Sequence, residues 1–242
     1  MKVKKALVNS NEKKKKTHYQ TKQQLAYEII RSKILDGAYK PQQHLRMIDL
    51  TQDIGISSIP IREALKQLEN EGLVKFHLHR GVQVASYSLE EFENLYIIRA
   101  TLEGLAGRLG TKKIIASAID RMKTLLTEMD LAIKDDNFKE KIRLNYEFHL
   151  VLYRAARSEQ LVKMITNLWD NTYHNVYVLM APKFIPDYHE RDQKEHAAII
   201  DALIAREPER VERLLVDAIS TTGKMMIEYL KNTNGFKNFD ND

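Results

Sequence analysis

The 242-residue chain contains no cysteine. That excludes disulfides, thiol nucleophiles and cysteine-ligated zinc, and it suits a reducing compartment, so a cytoplasmic location is expected. Proline and glycine are scarce, at 5 and 9 residues, which leaves few places where regular structure must stop. No stretch approaches 18 uninterrupted apolar residues, so no membrane span is expected. The lysines near the N-terminus are not followed by the apolar segment of a secretory leader. A Gly-rich phosphate loop and a G-x-S-x-G nucleophile elbow are also missing. Glu147-Phe148-His149 has the wrong spacing for the Glu-x-x-His pairs of metal-binding helical bundles, so no enzyme is expected.

What is present is an apolar fraction of 43%, enough for a sizeable core, and an uneven charge distribution. Residues 1–87 hold 16 Lys and Arg against 8 Asp and Glu, whereas residues 88–242 hold 22 against 25. A basic first third on a mildly acidic remainder points to a polyanionic partner for the first third. It also argues against an architectural DNA binder, which would be basic throughout. Residues 1–18, with Lys13–Lys16, read as a basic flexible arm that either touches phosphates or has no role, and residues 233–242 read as a flexible tail.

Between these ends the periodicity is helical, with one exception. Leu25, Ile29, Ile30 and Ile34 form a stripe that Gly37 stops, and Ile48, Leu50 and Ile54 give a second short helix before Gly55. In ISSIPIREALKQLENEGLV, Ser57 or Ser58 can cap a helix with Pro60 in its first turn, and Ile61, Leu65 and Leu68 mark its buried side. Leu73–Leu78 and Val82–Ser86, separated by His79-Arg80-Gly81, read as a hairpin. Beyond Ser88 only helical stripes recur, the first through Phe92, Leu95, Ile98, Leu102, Leu105 and Leu109 and the last over Pro208–Leu230. The expected fold is mostly α: a winged helix-turn-helix over 19–87 and an all-α bundle of six or seven helices over 88–232.

A helix of this size fits the major groove, where its first residues reach base edges. Arg62, off the apolar stripe, can fork onto a guanine or clamp a phosphate, or instead pair with Glu63. Lys66 shares the polar side, Ser57 and Ser58 can hold a phosphate at the helix start, and Arg80 beside Gly81 can touch the backbone or minor groove.

SSIPIREALKQLENEGLV followed by HRGVQV resembles the DNA-binding signature of the GntR family of bacterial regulators. LYIIRATLEGLAGRL, NYEFHLVLYRAA and KEHAAIIDAL, in that order, resemble the C-terminal ligand-binding domain of its FadR subgroup. The resemblance covers about residues 20–230. It implies a homodimer on a pseudo-palindromic double-stranded operator, in most cases as a repressor, responding to a small metabolite that is often a carboxylic acid. It also implies DNA contacts for Ser57, Arg62 and Arg80. One departure stands out: Ser58-Ile59 replaces the usual Arg-Thr pair, so a base-reading arginine is lost, and Ile59 either meets a thymine methyl or packs on the core.

Many members of that subgroup bind a divalent metal through an Asp-x₃-His pair and two further histidines 22 residues apart. The matching positions here are Asn145, His149, His196 and Ala218. Two of four ligands are missing, so His149 and His196 remain as a degenerate metal pair, and no cofactor is required. Asn145 and His149 share a helix face, and His196 is read as beginning a later helix. Arg99 falls where the family carries an arginine suited to an anionic effector, though Glu103 four residues on can pair with it. Arg99, Asn145, His149 and His196 are the expected polar lining of an effector pocket, with His174 and His189 as substitute ligands. Trp169–Met180 is read as core in preference to a pocket for an apolar ligand. A constitutive repressor with a decayed sensor is the alternative.

Overall fold

A computed structural model describes residues 21–77, 80–180 and 185–232, with backbone alone over 173–180, 185–187, 229–230 and 232. The basic arm 1–18, the tail 233–242, His79 and the side chain of His174 lie outside the described residues.

The first domain packs three helices against a small sheet. The helices are α1 (Lys22–Leu35), α2 (Met47–Ile54) and α3 (Ser58–Asn70). The strands are β1 (His44–Leu45), β2 (Val74–His77) and β3 (Gly81–Val84), antiparallel in the order β1-β3-β2. The hairpin pairs Val74 with Val84 and His77 with Gly81. β1 pairs His44 with Gln83 and has no counterpart in the sequence reading, because two residues are too few to show alternation. Thr21 caps α1 by accepting from Gln24 N at 3.1 Å. Gly55 ends α2 in the left-handed region at φ +71°.

Ile30, Ile34, Leu50, Ile61, Leu65, Leu68, Val74 and Val84 share one core. Three residues of the expected stripes, Leu25, Ile29 and Ile48, do not join it. Leu25 is exposed and Ala26 takes the inward position, four residues before Ile30 and eight before Ile34. Ile48 is 64% exposed, because Leu50 sets the inward face of α2 and a residue two positions away points to the opposite side.

The second domain is a bundle of six helices among the described residues: α4 (Leu89–Thr111), α5 (Ala116–Lys134), α6 (Phe138–Ala155), α7 (Glu159–Met180), α8 (Ile185–Ile204) and α9 (Pro208–Asn232). Ser88 and Glu91 close a capping box at the start of α4, with Ser88 N donating to Glu91 Oε2 at 2.7 Å and Glu91 N to Ser88 Oγ at 3.2 Å. α8 begins eight residues before the expected Gln193, because Pro186 sits in the first turn, where its missing N–H breaks no bond. His196 is therefore inside α8, not at its start. No helix among the described residues is long and apolar enough to cross a membrane.

α4 is the central helix, and its buried face differs from the expected stripe. Phe92, Tyr96, Arg99, Glu103, Ala106 and Gly110 point inward, while Ile98 is 46% exposed and Leu102, Leu105 and Leu109 are half-buried. The inward face carries small residues because α6 and α9 pass close to it. A Cβ built on Gly110 would stand 2.5 Å from the carbonyl oxygen of Leu152, a backbone atom that has nowhere to go. Gly110→Ala should therefore cost about 1–3 kcal/mol of stability, read as a lowered urea midpoint. An unchanged midpoint would mean that α4 and α6 separate freely.

Candidate functional site

The first candidate surface is the start of α3. Ser57 is its N-cap in an extended conformation and makes no side-chain cap bond, which leaves the hydroxyl and the first-turn N–H groups available to an anion. Ser58, Ile59, Arg62 and Lys66 are all exposed and fall within about 100° of arc at 3.6 residues per turn. Ile61, Ala64, Leu65 and Leu68 hold the other side against the core. Arg62 makes no hydrogen bond or ion pair with another described residue; Glu63 pairs with Lys66 instead, at 3.0 Å. Ile59, at 76% exposure, does not pack on the core. Arg80 is exposed in the hairpin turn, and Gly81 beside it takes φ +84°, which disfavours any side chain there.

The second is a cavity of about 70 Å³ inside the bundle, and it gathers Arg99, Asn145, His149 and His196. α4 supplies Arg99, α6 supplies Asn145 and His149 one turn apart, and α8 supplies His196. Arg99 Nε donates to Glu103 Oε1 at 2.8 Å and Arg99 Nη1 to Thr172 Oγ1 at 3.2 Å, so the i,i+4 pair, the alternative to an arginine left for an effector, forms and is buried. The guanidinium also lies over the rings of Tyr96 and Trp169, 4.9 and 5.0 Å from their centroids. Tyr153 donates to the other Glu103 oxygen at 2.7 Å, and its phenol is pushed well up by burial and by that carboxylate. The amide oxygen of Asn145 is buried with no hydrogen-bond partner among the described residues.

The two imidazoles meet directly, His149 Nε2 standing 3.2 Å from His196 Nε2. His196 Nδ1 lies 2.5 Å from the carbonyl oxygen of Asp192, and His149 Nδ1 lies 3.3 Å from the Tyr153 hydroxyl. Asp192 forms a buried ion pair with Lys141 at 2.6 Å. Burial alone would raise this carboxyl, but Lys141 and then His196 bring it down to about 2. Burial lowers both histidines, His149 well below its ordinary value, with the neighbouring imidazole adding to the effect there. Both therefore take up a proton at lower pH in the folded state than in the unfolded chain, which does so near pH 6.5. Their stabilising contribution is thus complete above pH 6.5 and is lost as the pH falls below it, by at most about 1.4 kcal/mol per pH unit for each ring. Urea midpoints should fall between pH 7 and 5, and less so in His149→Gln. A flat profile in the parent would contradict this burial.

All four positions that the resemblance associates with a metal line this one cavity: Asn145, His149, His196 and Ala218. The donor set does not fit a divalent centre. Ala218 offers a methyl group, Asn145 a neutral amide, and the nearby Asp192 carboxylate is engaged by Lys141. No three His, Asp or Glu side chains among the described residues stand as a metal set. His189, the other candidate ligand, faces Asp130 at 3.5 Å.

A third feature has no signature in the sequence reading. Trp169, Asp170, Asn171 and Thr172 are consecutive on α7, and helical geometry sends them to opposite sides. Trp169 and Thr172 line the cavity. Asp170 forms an ion pair with Arg31 of α1, and Asn171 Nδ2 donates at 2.9 Å to the carbonyl of Glu71, the C-cap of α3. Asn171 also packs under Gly72, where a Cβ would approach its amide to 3.2 Å and where φ is +80°. Glu71 in turn accepts from the Tyr27 hydroxyl at 2.9 Å, which ties α1 and α3 to the same point. The bonds by which Asp170 and Asn171 reach the first domain join residues 100 or more apart, so no local pattern announces them. Their one local trace is the polar pair Asp170-Asn171 following Trp169.

Comparison with known proteins matches both domains. Residues 22–84 fit the family described as bacterial regulatory proteins, gntR family, and residues 94–221 fit the FCD domain. The HTH-type transcriptional repressor GlaR of Escherichia coli is 25% identical over 202 residues, covering 78% of this chain and 88% of that protein. The HTH-type transcriptional regulator YdhC of Bacillus subtilis is 29% identical over 145 residues, 60% of this chain; the match spans 65% of YdhC, just under two thirds of its length. Among solved structures, E. coli McbR/YncC superposes with a TM-score of 0.76 at 19% identity, over 86% of this chain and 98% of that one.

Proposed function

Because the chain belongs to the GntR family of bacterial transcription regulators, FadR subgroup, with an FCD domain behind its helix-turn-helix, we propose that it is a ligand-responsive repressor. In this reading it sits in the cytoplasm as a homodimer on a pseudo-palindromic operator. GlaR and RspR, both repressors by name, are similar over most of their lengths. Such proteins regulate transcription and are not enzymes.

The observation that carries the ligand-responsive part is the strip Trp169–Thr172, which is at once a wall of the cavity and a grip on the DNA-binding domain. A cavity of about 70 Å³ holds a few waters or one end of a metabolite, so a larger ligand enters by moving a wall. If the α7 wall moves, Asp170 and Asn171 carry the displacement to Arg31 and to the end of α3. Half-sites one helical turn apart tolerate little change in the angle between two recognition helices. The constitutive alternative has less support, since the cavity retains a buried amide oxygen without a partner among the described residues and aromatic walls.

A small carboxylic acid is the effector class we favour, with its carboxylate beside Arg99 and the imidazoles and a hydroxyl or amine on Asn145. The pocket works without a metal. For the dimer, the exposed Ile98 and the half-buried Leu102, Leu105 and Leu109, which also pack against the core, leave an apolar edge on α4 at spacings of four, three and four residues, suited to the same edge on a second copy.

The test is a thermal-shift screen of carboxylic acids and sugars on the full chain, followed by operator titration with any hit. A ligand that stabilises the protein should weaken operator binding at least about fivefold, and in Asn171→Ala it should still bind with the response reduced. A ligand that binds the parent without altering operator affinity would refute the coupling, and stabilisation by no compound would favour the constitutive alternative.

A further inference from the structure

Ile59 is the most exposed of the large hydrophobic side chains described, and it occupies the second residue of the recognition helix. Its position has no structural explanation within the chain. It touches no core cluster, and Ile61 two residues later already supplies the inward contact. Its neighbours on the same arc are a serine and two cations, Ser58, Arg62 and Lys66, which suit a nucleic-acid surface. An isoleucine side chain donates and accepts no hydrogen bond, so neither a phosphate nor a polar base edge rewards it. The floor of the major groove offers one apolar group, the C5-methyl of thymine.

We propose that Ile59 reads a thymine methyl in each operator half-site, one or two base steps from the guanine contacted by Arg62. The spacing follows from geometry. Residues 59 and 62 differ by about 4.5 Å along a helix axis, and base pairs are stacked about 3.4 Å apart. The substitution of Ser58-Ile59 for the Arg-Thr pair thereby becomes a change of code: a charged donor is exchanged for an apolar reader, and the preferred base changes with it. The inference rests on α3 being the element that enters the groove.

The test uses the full-length protein and a duplex enriched from a random-sequence pool. Each thymine of the enriched site is replaced singly by deoxyuridine, which removes the methyl and keeps the base pair. Affinity should drop roughly fourfold at one position per half-site, within two steps of a guanine that Arg62→Ala ceases to prefer. Ile59→Ala should bind the thymine and uracil duplexes equally, and Ile59→Val should restore most of the difference. Enrichment without any uracil effect near that guanine would overturn this inference alone. So would a uracil effect that survives unchanged in Ile59→Ala, or one that comes with altered oligomeric state. Failure to enrich any sequence would remove the DNA reading beneath it as well.

Discussion

Replacing Arg62 by alanine is expected to lower operator affinity by at least about 30-fold while leaving thermal stability unchanged. A bidentate pair with guanine is worth about 1–3 kcal/mol, and a dimer on two half-sites forfeits that amount twice. The fold loses nothing, because Arg62 is exposed and bonds to no described residue. Its first competitor for a partner, Glu63, is taken by Lys66. Lys66→Ala should behave differently. That side chain is a point charge in a surface ion pair, so its removal should weaken all sequences alike and reduce the salt dependence by about one counterion per protomer. Fluorescence anisotropy at several salt concentrations separates the two. Equal weakening on operator and unrelated DNA in Arg62→Ala would assign that side chain to the phosphate backbone.

The second large effect is on stability. Glu103→Ala should cost about 3–5 kcal/mol, because it strands the Arg99 guanidinium in a site where both partners are almost fully buried. It also removes the acceptor of the Tyr153 hydroxyl. The double variant Arg99→Met, Glu103→Leu should be much closer to the parent in stability, since no unpaired charge remains. A Glu103→Ala variant that unfolds at the parental urea concentration would mean that water reaches Arg99. In that case solvent would reach the guanidinium where the structure buries it. The double variant should fold and still fail to respond to the effector, which separates a role in ligand recognition from a role in folding.

The DNA-binding domain is legible in the sequence because its turns are punctuated. Gly55, Gly72 and Gly81 each sit at a boundary with a positive φ, Pro60 falls in the first turn of α3 where its missing N–H breaks no bond, and the apolar spacing between them fixes the helices. α4 misleads for the opposite reason. Beside Phe92, Tyr96 and Ala106, its inward face holds Arg99, Glu103, Gly104, Gly107 and Gly110, residues that no hydrophobic stripe contains, while Leu102, Leu105 and Leu109 of the visible stripe pack only half-buried at the edge of the core and Ile98 is exposed. Charge pairing and close helix approach, not apolar area alone, decide which side of this helix faces in. The cavity residues Arg99, Asn145, His149 and His196 are anticipated from a resemblance, and the structure brings them together. Thr172, Asp170 and Asn171 are not, since their meaning lies in partners distant in sequence.

The most direct test of the central claim is selection of duplexes from a random-sequence pool by the full chain at near-physiological salt. The account predicts enrichment of a two-fold symmetric site with half-sites one helical turn apart, lost in Arg62→Ala. Uniform recovery of all sequences, or enrichment that survives in Arg62→Ala, would contradict it.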